Sequence, residues 1–233
     1  RLEASRPDEL GQLARDFNEL AQVLQANQAA RQRWFADISH ELRTPLAILR
    51  GEIDALLDGV RPLELSRIRS LADELRQLER LVDDLATLSN ADIGALKYRK
   101  EPLHPGELVG AVLEHYRPQF TASSLAWEWD DTLSGDFEYW GDPVRLRQLL
   151  ENLIGNRLKY TDTGGQLRVS LTRGPNKLLL VIEDSAPGVT DEQLERLFDH
   201  LYRADASRNR ATGGSGLGLT ICRHIVEGHQ DRK

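Results

Sequence analysis

Apolar residues recur at alternating steps of three and four through Leu10, Leu13, Phe17, Leu20 and Leu24, the a/d spacing of a coiled-coil helix. Pro7-Asp8-Glu9 supplies a start for that helix, with proline in the first turn and acids at the positive end of the dipole. The rhythm loosens over residues 27–33. It resumes through Trp34, Phe35, Ile38, Leu42, Leu46, Leu49, Ile53 and Leu56. Residues 59–62, Gly-Val-Arg-Pro, interrupt the pattern. A second amphipathic stripe follows, carrying Ile68, Leu71, Leu75, Leu78, Val82 and Leu85. Two long helices joined by a short turn make a hairpin whose stripe is only half covered by itself. Pairing with a second copy into a four-helix bundle covers the rest. The competing solution is a monomeric hairpin packed on the remainder of the chain.

From about residue 91 to 105, Gly, Pro and mixed polar residues replace the stripe and read as a linker. Beyond it strands and helices alternate. Residues 167–172 and 178–182 read as two strands joined by an Arg173-Gly174-Pro175-Asn176 turn. Helices are expected at 106–119, 142–160, 191–198 and 217–228. An adjacent strand pair among helices predicts an α+β layer rather than a doubly wound sheet.

Composition narrows the class without naming a function. The 233 residues, 40% hydrophobic and 29% charged, suit one large or two small globular domains. A net charge of −7 disfavours a general nucleic-acid binder. The single cysteine, Cys222, precludes an internal disulfide and a CxxC metal site. No apolar run approaches the roughly 18–20 residues that span a bilayer. The chain starts at Arg1 and has no Met, which reads as part of a longer protein, with room upstream for a membrane segment.

Four groups of residues could do chemistry. The first is Ile38-Ser39-His40-Glu41-Leu42-Arg43-Thr44-Pro45. A neutral imidazole at His40 is a nucleophile near neutral pH, and the carboxylate of Glu41 can orient it or take its proton. Thr44 shares the face of His40 one turn on, and Pro45 is expected to bend the helix beside it. A mid-helix proline costs about 3 kcal/mol, so the bend is expected to be useful. Against this stands a surface histidine on a kinked helix. The second group is Asn152, Asn156, Lys159 and Tyr160, with the first three on one helix face opposite Leu146, Leu149, Leu150 and Leu153. Amide oxygens and an ammonium suit a hydrated Mg²⁺ and phosphates, or simply a solvated face.

The third is Asp184-Ser185-Ala186-Pro187-Gly188 after a strand, where a carboxylate could accept from an exocyclic amine. The fourth, Gly213-Gly214-Ser215-Gly216-Leu217-Gly218-Leu219, opens a helix. Backbone N–H groups there could close on phosphate oxygens. Arg203, Arg208 and Arg210 make the preceding stretch basic. The other histidines, His104, His115, His200, His224 and His229, lack metal-ligand spacing and read as ordinary surface or helix residues. Trp127, Trp129 and Trp140 read as packing residues.

Together and in this order the four groups resemble the H, N, G1 and G2 boxes of the sensor histidine kinases of two-component signalling. FADISHELRTPLAIL is similar to the H box, and DASRNRATGGSGLGLTICRHIVEGH to the ATP lid and G2 region. Phe198 to Arg203 resembles the F box, and PDELGQLARDFNEL the last helix of a HAMP domain. The resemblance implies a HAMP end and signalling helix over 1–30 and a dimerisation and phosphotransfer hairpin over 31–92. A linker and first strand over 93–105 then lead to a Bergerat-type α/β sandwich that binds ATP over 106–233, its closing strands missing.

It further implies Mg-ATP-dependent autophosphorylation of His40, with Glu41 as base or orienting acid, and transfer to an aspartate of a response-regulator receiver domain. Thr44 would assist the reverse, dephosphorylation of that partner. Asn156, with Asn152, would hold Mg²⁺; Lys159 and Arg203 would contact phosphates. Asp184 would read the adenine amine, while Tyr160, Gly188, Gly214, Gly216, Leu217 and Gly218 would complete the pocket. The expected setting is a homodimer on the cytoplasmic face of the bacterial inner membrane, tethered by upstream segments, with no nucleic-acid partner. The alternative is a dimeric module that binds nucleotide poorly and acts as phosphatase or scaffold.

Three positions depart from the family pattern. Leu201 stands for a usual aromatic and Ala186 for a glycine. Arg157 stands where a small residue is usual, near the middle of the apolar helix face. Its guanidinium could snorkel, find a carboxylate, or weaken the domain. Arg157→Ala is expected to raise the melting temperature.

Overall fold

The structure is a computed structural model that describes residues 9–92, 97–133, 137–175, 177–199, 201–202 and 215–230. The chain forms two compact units, Arg1–Leu81 and Val82–Lys233.

The first unit is the helical hairpin. Helix α1 spans Glu9–Leu57 without interruption, and α2 spans Leu65–Asp92, crossing into the second unit. Residues 27–33, where the apolar rhythm loosens, stay helical because Gln, Ala and Arg there are good helix formers. The Arg61 guanidinium pairs with Glu52, and Arg67 lies 3.9 Å from the same carboxylate, so two cations from the turn and α2 meet one acid of α1. Much of the stripe remains open: Phe17, Leu24, Ile53 and Leu75 are all exposed.

In the second unit the end of α2 buries Thr87 and Leu88. Strand β1 (Glu101–Leu103) pairs antiparallel with β3 (Tyr139–Gly141) in a two-stranded sheet. A separate three-stranded sheet has the order β2 (Ala126–Asp131), β4 (Gln166–Arg173), β5 (Leu178–Asp184). Here β2 runs parallel to β4, with Trp129 opposite Val169, and β5 is antiparallel, with Asp184 opposite Leu167.

Helices α3 (Pro105–Ala122), α4 (Pro143–Tyr160), α5 (Asp191–Arg196) and α6 (Gly218–Gln230) complete the unit. Alternation on β4 turns Leu167, Val169 and Leu171 inward. They form one core with Val109, Val112, Leu113 and Phe120 of α3 and Leu150 and Ile154 of α4. Burying a side chain of that size contributes about 1.5–3 kcal/mol, so this layer is what fixes α4 on the sheet.

The expected strand pair and four helices are present, the ends shifted by a few residues. Strands β2 and β3 are additions. Ala126–Asp131 carries three acids in six residues and is half exposed, so no apolar run marks it. Trp127 and Trp129 pack against the core as expected. Trp140 does not: it is 63% exposed, because the alternation of β3 faces it away from Gly141 and the interior.

Candidate functional site

The start of α4, the helix that carries Asn152, Asn156 and Lys159, is fixed by one side chain. Asp142 is the N-cap, and its Oδ1 accepts from the backbone N–H groups of Val144 and Arg145, each at 3.0 Å. Its Oδ2 accepts from Arg99 N–H at 2.8 Å, and its own N–H donates to His229 Nε2 at 3.0 Å. His229 Nδ1 in turn lies 2.7 Å from the Ile225 carbonyl. An Nε2 that accepts leaves Nδ1 to carry the proton. Burial, the largest influence, holds this imidazole below its ordinary pKa, as does Lys100.

The ring packs edge-on to Tyr98 and stacks on Tyr139. Tyr98 donates to the His224 carbonyl at 2.9 Å, and a Cβ on Gly228 would stand 2.3 Å from its ring. Thus the incoming segment, β3, α4 and α6 are pinned at one point. Sequence reasoning missed it: the partners lie 43 and 87 residues apart, and only the Asp-Pro start of a helix gave a local signal.

Along α4, Asn152 and Asn156 follow on the same face, both half-buried, and Lys159 and Tyr160 are exposed at its end. Asn152 lies against the first turn of α6: a Cβ on Gly218 would be 3.5 Å from its side-chain oxygen. Nearby, the buried Cys222 thiol donates to the Leu149 carbonyl at 3.8 Å, and burial pushes its pKa up to about 12. Asn152 Nδ2 is buried without a hydrogen-bond partner among the described residues.

Gly216 adopts φ +70, and a Cβ there would come within 2.9 Å of the Leu201 backbone, so only glycine fits. Leu201 itself is left-handed at φ 59, uncommon for a branched side chain. Ser215 Oγ accepts from Leu217 N–H at 3.3 Å, and the Leu217 side chain is fully buried. Arg203, Gly213 and Gly214, with Arg208 and Arg210, lie outside the described residues.

At the end of β5 the Asp184 side chain is 6% exposed. Its Oδ1 accepts from Ala186 N–H at 2.8 Å. Its Oδ2 accepts from Arg157 Nη1 at 2.5 Å. The open question over Arg157 is resolved as the second possibility: the guanidinium reaches a carboxylate. The premise behind the expected rise in melting temperature on Arg157→Ala is overturned, because removing a paired cation strands a buried acid. Gly188 is exposed with open space where a Cβ would sit, so sterics of the described residues do not demand glycine.

In the first unit His40 and Thr44 are exposed on α1, and Thr44 donates to the His40 carbonyl at 3.2 Å. Ser39 similarly donates to the Phe35 carbonyl at 2.8 Å. Both bonds precede Pro45, which has no N–H for the Glu41 carbonyl. No helix among the described residues is long and apolar enough to cross a membrane.

Three family models match. Residues 141–232 match the histidine kinase-, DNA gyrase B- and HSP90-like ATPase. Residues 30–94 match the His Kinase A (phospho-acceptor) domain, and residues 1–26 the HAMP domain. Over 232 residues the chain is 47% identical to the signal transduction histidine-protein kinase BaeS of Escherichia coli, covering all of this chain and 49% of that protein. It is 33% identical over 199 residues to the sensor protein SrrB of Staphylococcus aureus, covering 84% of this chain and 34% of that one. The chain thus spans about half and about a third of these curated relatives.

Among solved structures, the Acinetobacter baumannii histidine kinase AdeS superposes with a TM-score of 0.68 at 30% identity, covering 81% of this chain and 86% of that one. A phospho-acceptor hairpin followed by an ATPase-type α/β unit, in a chain similar to these proteins throughout, makes it a member of the sensor histidine kinases of two-component systems.

Proposed function

We propose that the chain is an autokinase core in which an imidazole nitrogen of His40 takes the γ-phosphoryl group of ATP, ADP leaves, and Glu41 accepts the displaced proton. The phosphoryl group then passes to an aspartate of a response-regulator receiver domain, and Thr44 assists its later hydrolysis there. The observation that carries the reading is the convergence of Asn152 of α4 on the glycine start of α6, within the unit where Asp184 sits buried at the end of β5. Those are the donor types a nucleotide and its counter-ion need.

Asn156 supplies the amide oxygen for Mg²⁺, with Asn152 one turn before it on the same face of α4 and against Gly218. The ion's chemistry is to neutralise triphosphate charge. Lys159 and Arg203 hold phosphate oxygens, and Tyr160, Gly188, Gly214, Gly216, Leu217 and Gly218 line the pocket. Asp184 reads the base. An exposed imidazole at His40 is open to a phosphoryl donor and to a partner domain in turn.

The exposed stripe of Phe17, Leu24, Ile53 and Leu75 supports a homodimer, with each hairpin covering the other. The HAMP match supports attachment, through upstream segments, to the cytoplasmic face of a bacterial inner membrane. Incubation with γ-labelled ATP and Mg²⁺ should give an acid-labile, alkali-stable label that His40→Gln abolishes and His115→Gln retains. A label that survives His40→Gln would sink the assignment.

A further inference from the structure

The carboxylate assigned to read the base is already engaged. Both oxygens of Asp184 have partners, Ala186 N–H on Oδ1 and the Arg157 guanidinium on Oδ2. Arg157 is not a rim charge that chanced on an acid. It projects from α4, its Nε is buried without a hydrogen-bond partner among the described residues, and its side chain is 35% exposed. The contact joins α4 to the end of β5, across 27 residues of chain.

A bare carboxylate is an acceptor only. It welcomes the 6-amino group of adenine and repels a 6-oxo group, whose lone pairs would face its charge. A guanidinium beside it changes that edge. It offsets the charge and adds N–H donors that a 6-oxo oxygen can accept from, as arginine does toward guanine in other settings. It also contests the oxygen that the adenine amine would use. Both effects run in one direction.

We propose that Arg157 is a base-selectivity residue, which lowers the site's preference for 6-aminopurine over 6-oxopurine nucleoside triphosphates by sharing Asp184 with the base. The inference rests on the reading of Asp184 as the base-contacting residue. It assigns to this chain a broader purine substrate class than an acceptor-only site would admit.

The test compares binding of ATP and inosine triphosphate, each with Mg²⁺, to the 233-residue chain and to Arg157→Ala and Arg157→Gln. The glutamine variant keeps most of the side-chain volume in case truncation unfolds the domain. Wild type should bind the two nucleotides within about tenfold of each other, and each variant should widen the ratio in favour of ATP by about tenfold or more. A purely structural role for Arg157 would move both affinities together and leave the ratio alone. ATP binding with a ratio unchanged in both variants overturns the proposal and leaves the nucleotide reading standing. Binding of neither nucleotide to any of the three proteins overturns both.

Discussion

Asp142→Ala should destabilise the second unit more than any other single change at its surface-proximal loops. The side chain is 5% exposed and satisfies three backbone N–H groups, two in the first turn of α4 and one on Arg99. Losing a helix N-cap costs about 1 kcal/mol in typical cases. Leaving the half-buried Arg99 N–H without an acceptor adds about 1–2 kcal/mol. Added together, the two contributions come to about 2–3 kcal/mol. For a unit of this size each kcal/mol lowers the melting temperature by about 2–4 °C, which gives a fall of roughly 4–12 °C.

Asp142→Asn separates the two contributions. Asparagine caps as well as aspartate, but its NH₂ group would face the Arg99 N–H, donor against donor. It should therefore fall between wild type and alanine. Scanning calorimetry on all three proteins decides the matter. Alanine within 2 °C of wild type, or asparagine as damaging as alanine, would refute the idea that this carboxylate anchors α4.

Three further outcomes follow from the same unit and its neighbour. The His229 pKa is depressed, so the unfolded chain binds more protons just below the ordinary value. Stability should be fully present above about pH 6.5 and fall as pH drops through that value toward the folded pKa; urea melts from pH 5 to 8 should show a slope that His229→Gln flattens. Gly228→Ala should destabilise although alanine favours helix, because its Cβ would strike the Tyr98 ring, whereas Gly51→Ala, with nothing within 4 Å, should stabilise by about 0.5–1 kcal/mol in chemical melts. Arg157→Ala should lower stability by about 1–3 kcal/mol, nearer the low end given the partial exposure of the guanidinium, and a raised thermal midpoint would reinstate the unpaired-charge view.

What could be read from the linear chain was whatever repeats locally. The hairpin was legible because its apolar positions recur at helical spacing along each arm, and period is a property of neighbours. His40, Asn152, Asn156, Asp184 and the glycine run were legible because each sits in a short string whose residue types already suggest chemistry. Strand β2 was not read as one although Trp127 and Trp129 alternate with acids, since the alternation is short and its pairing with β4 is parallel and long-range. Nor was the junction at Asp142. Arg99, Asp142 and His229 come from three distant stretches, and no window along the chain holds more than one of them.

Arg157 shows why that boundary falls where it does. A helical wheel places a guanidinium on an apolar face and assigns a desolvation cost, which is a correct statement about one residue. The sign of its contribution depends on a second residue, 27 positions away on another element. With Asp184 absent the cation would destabilise, and substitution would help. With Asp184 present and nearly enclosed, the cost is shared, and substitution moves it onto the acid. The same contact carries the functional consequence, because the acid that stabilises Arg157 is the one assigned to the base. Stability and selectivity are thus coupled through a single ion pair. A variant that frees Asp184 for adenine should also remove the ion pair that ties α4 to the end of β5.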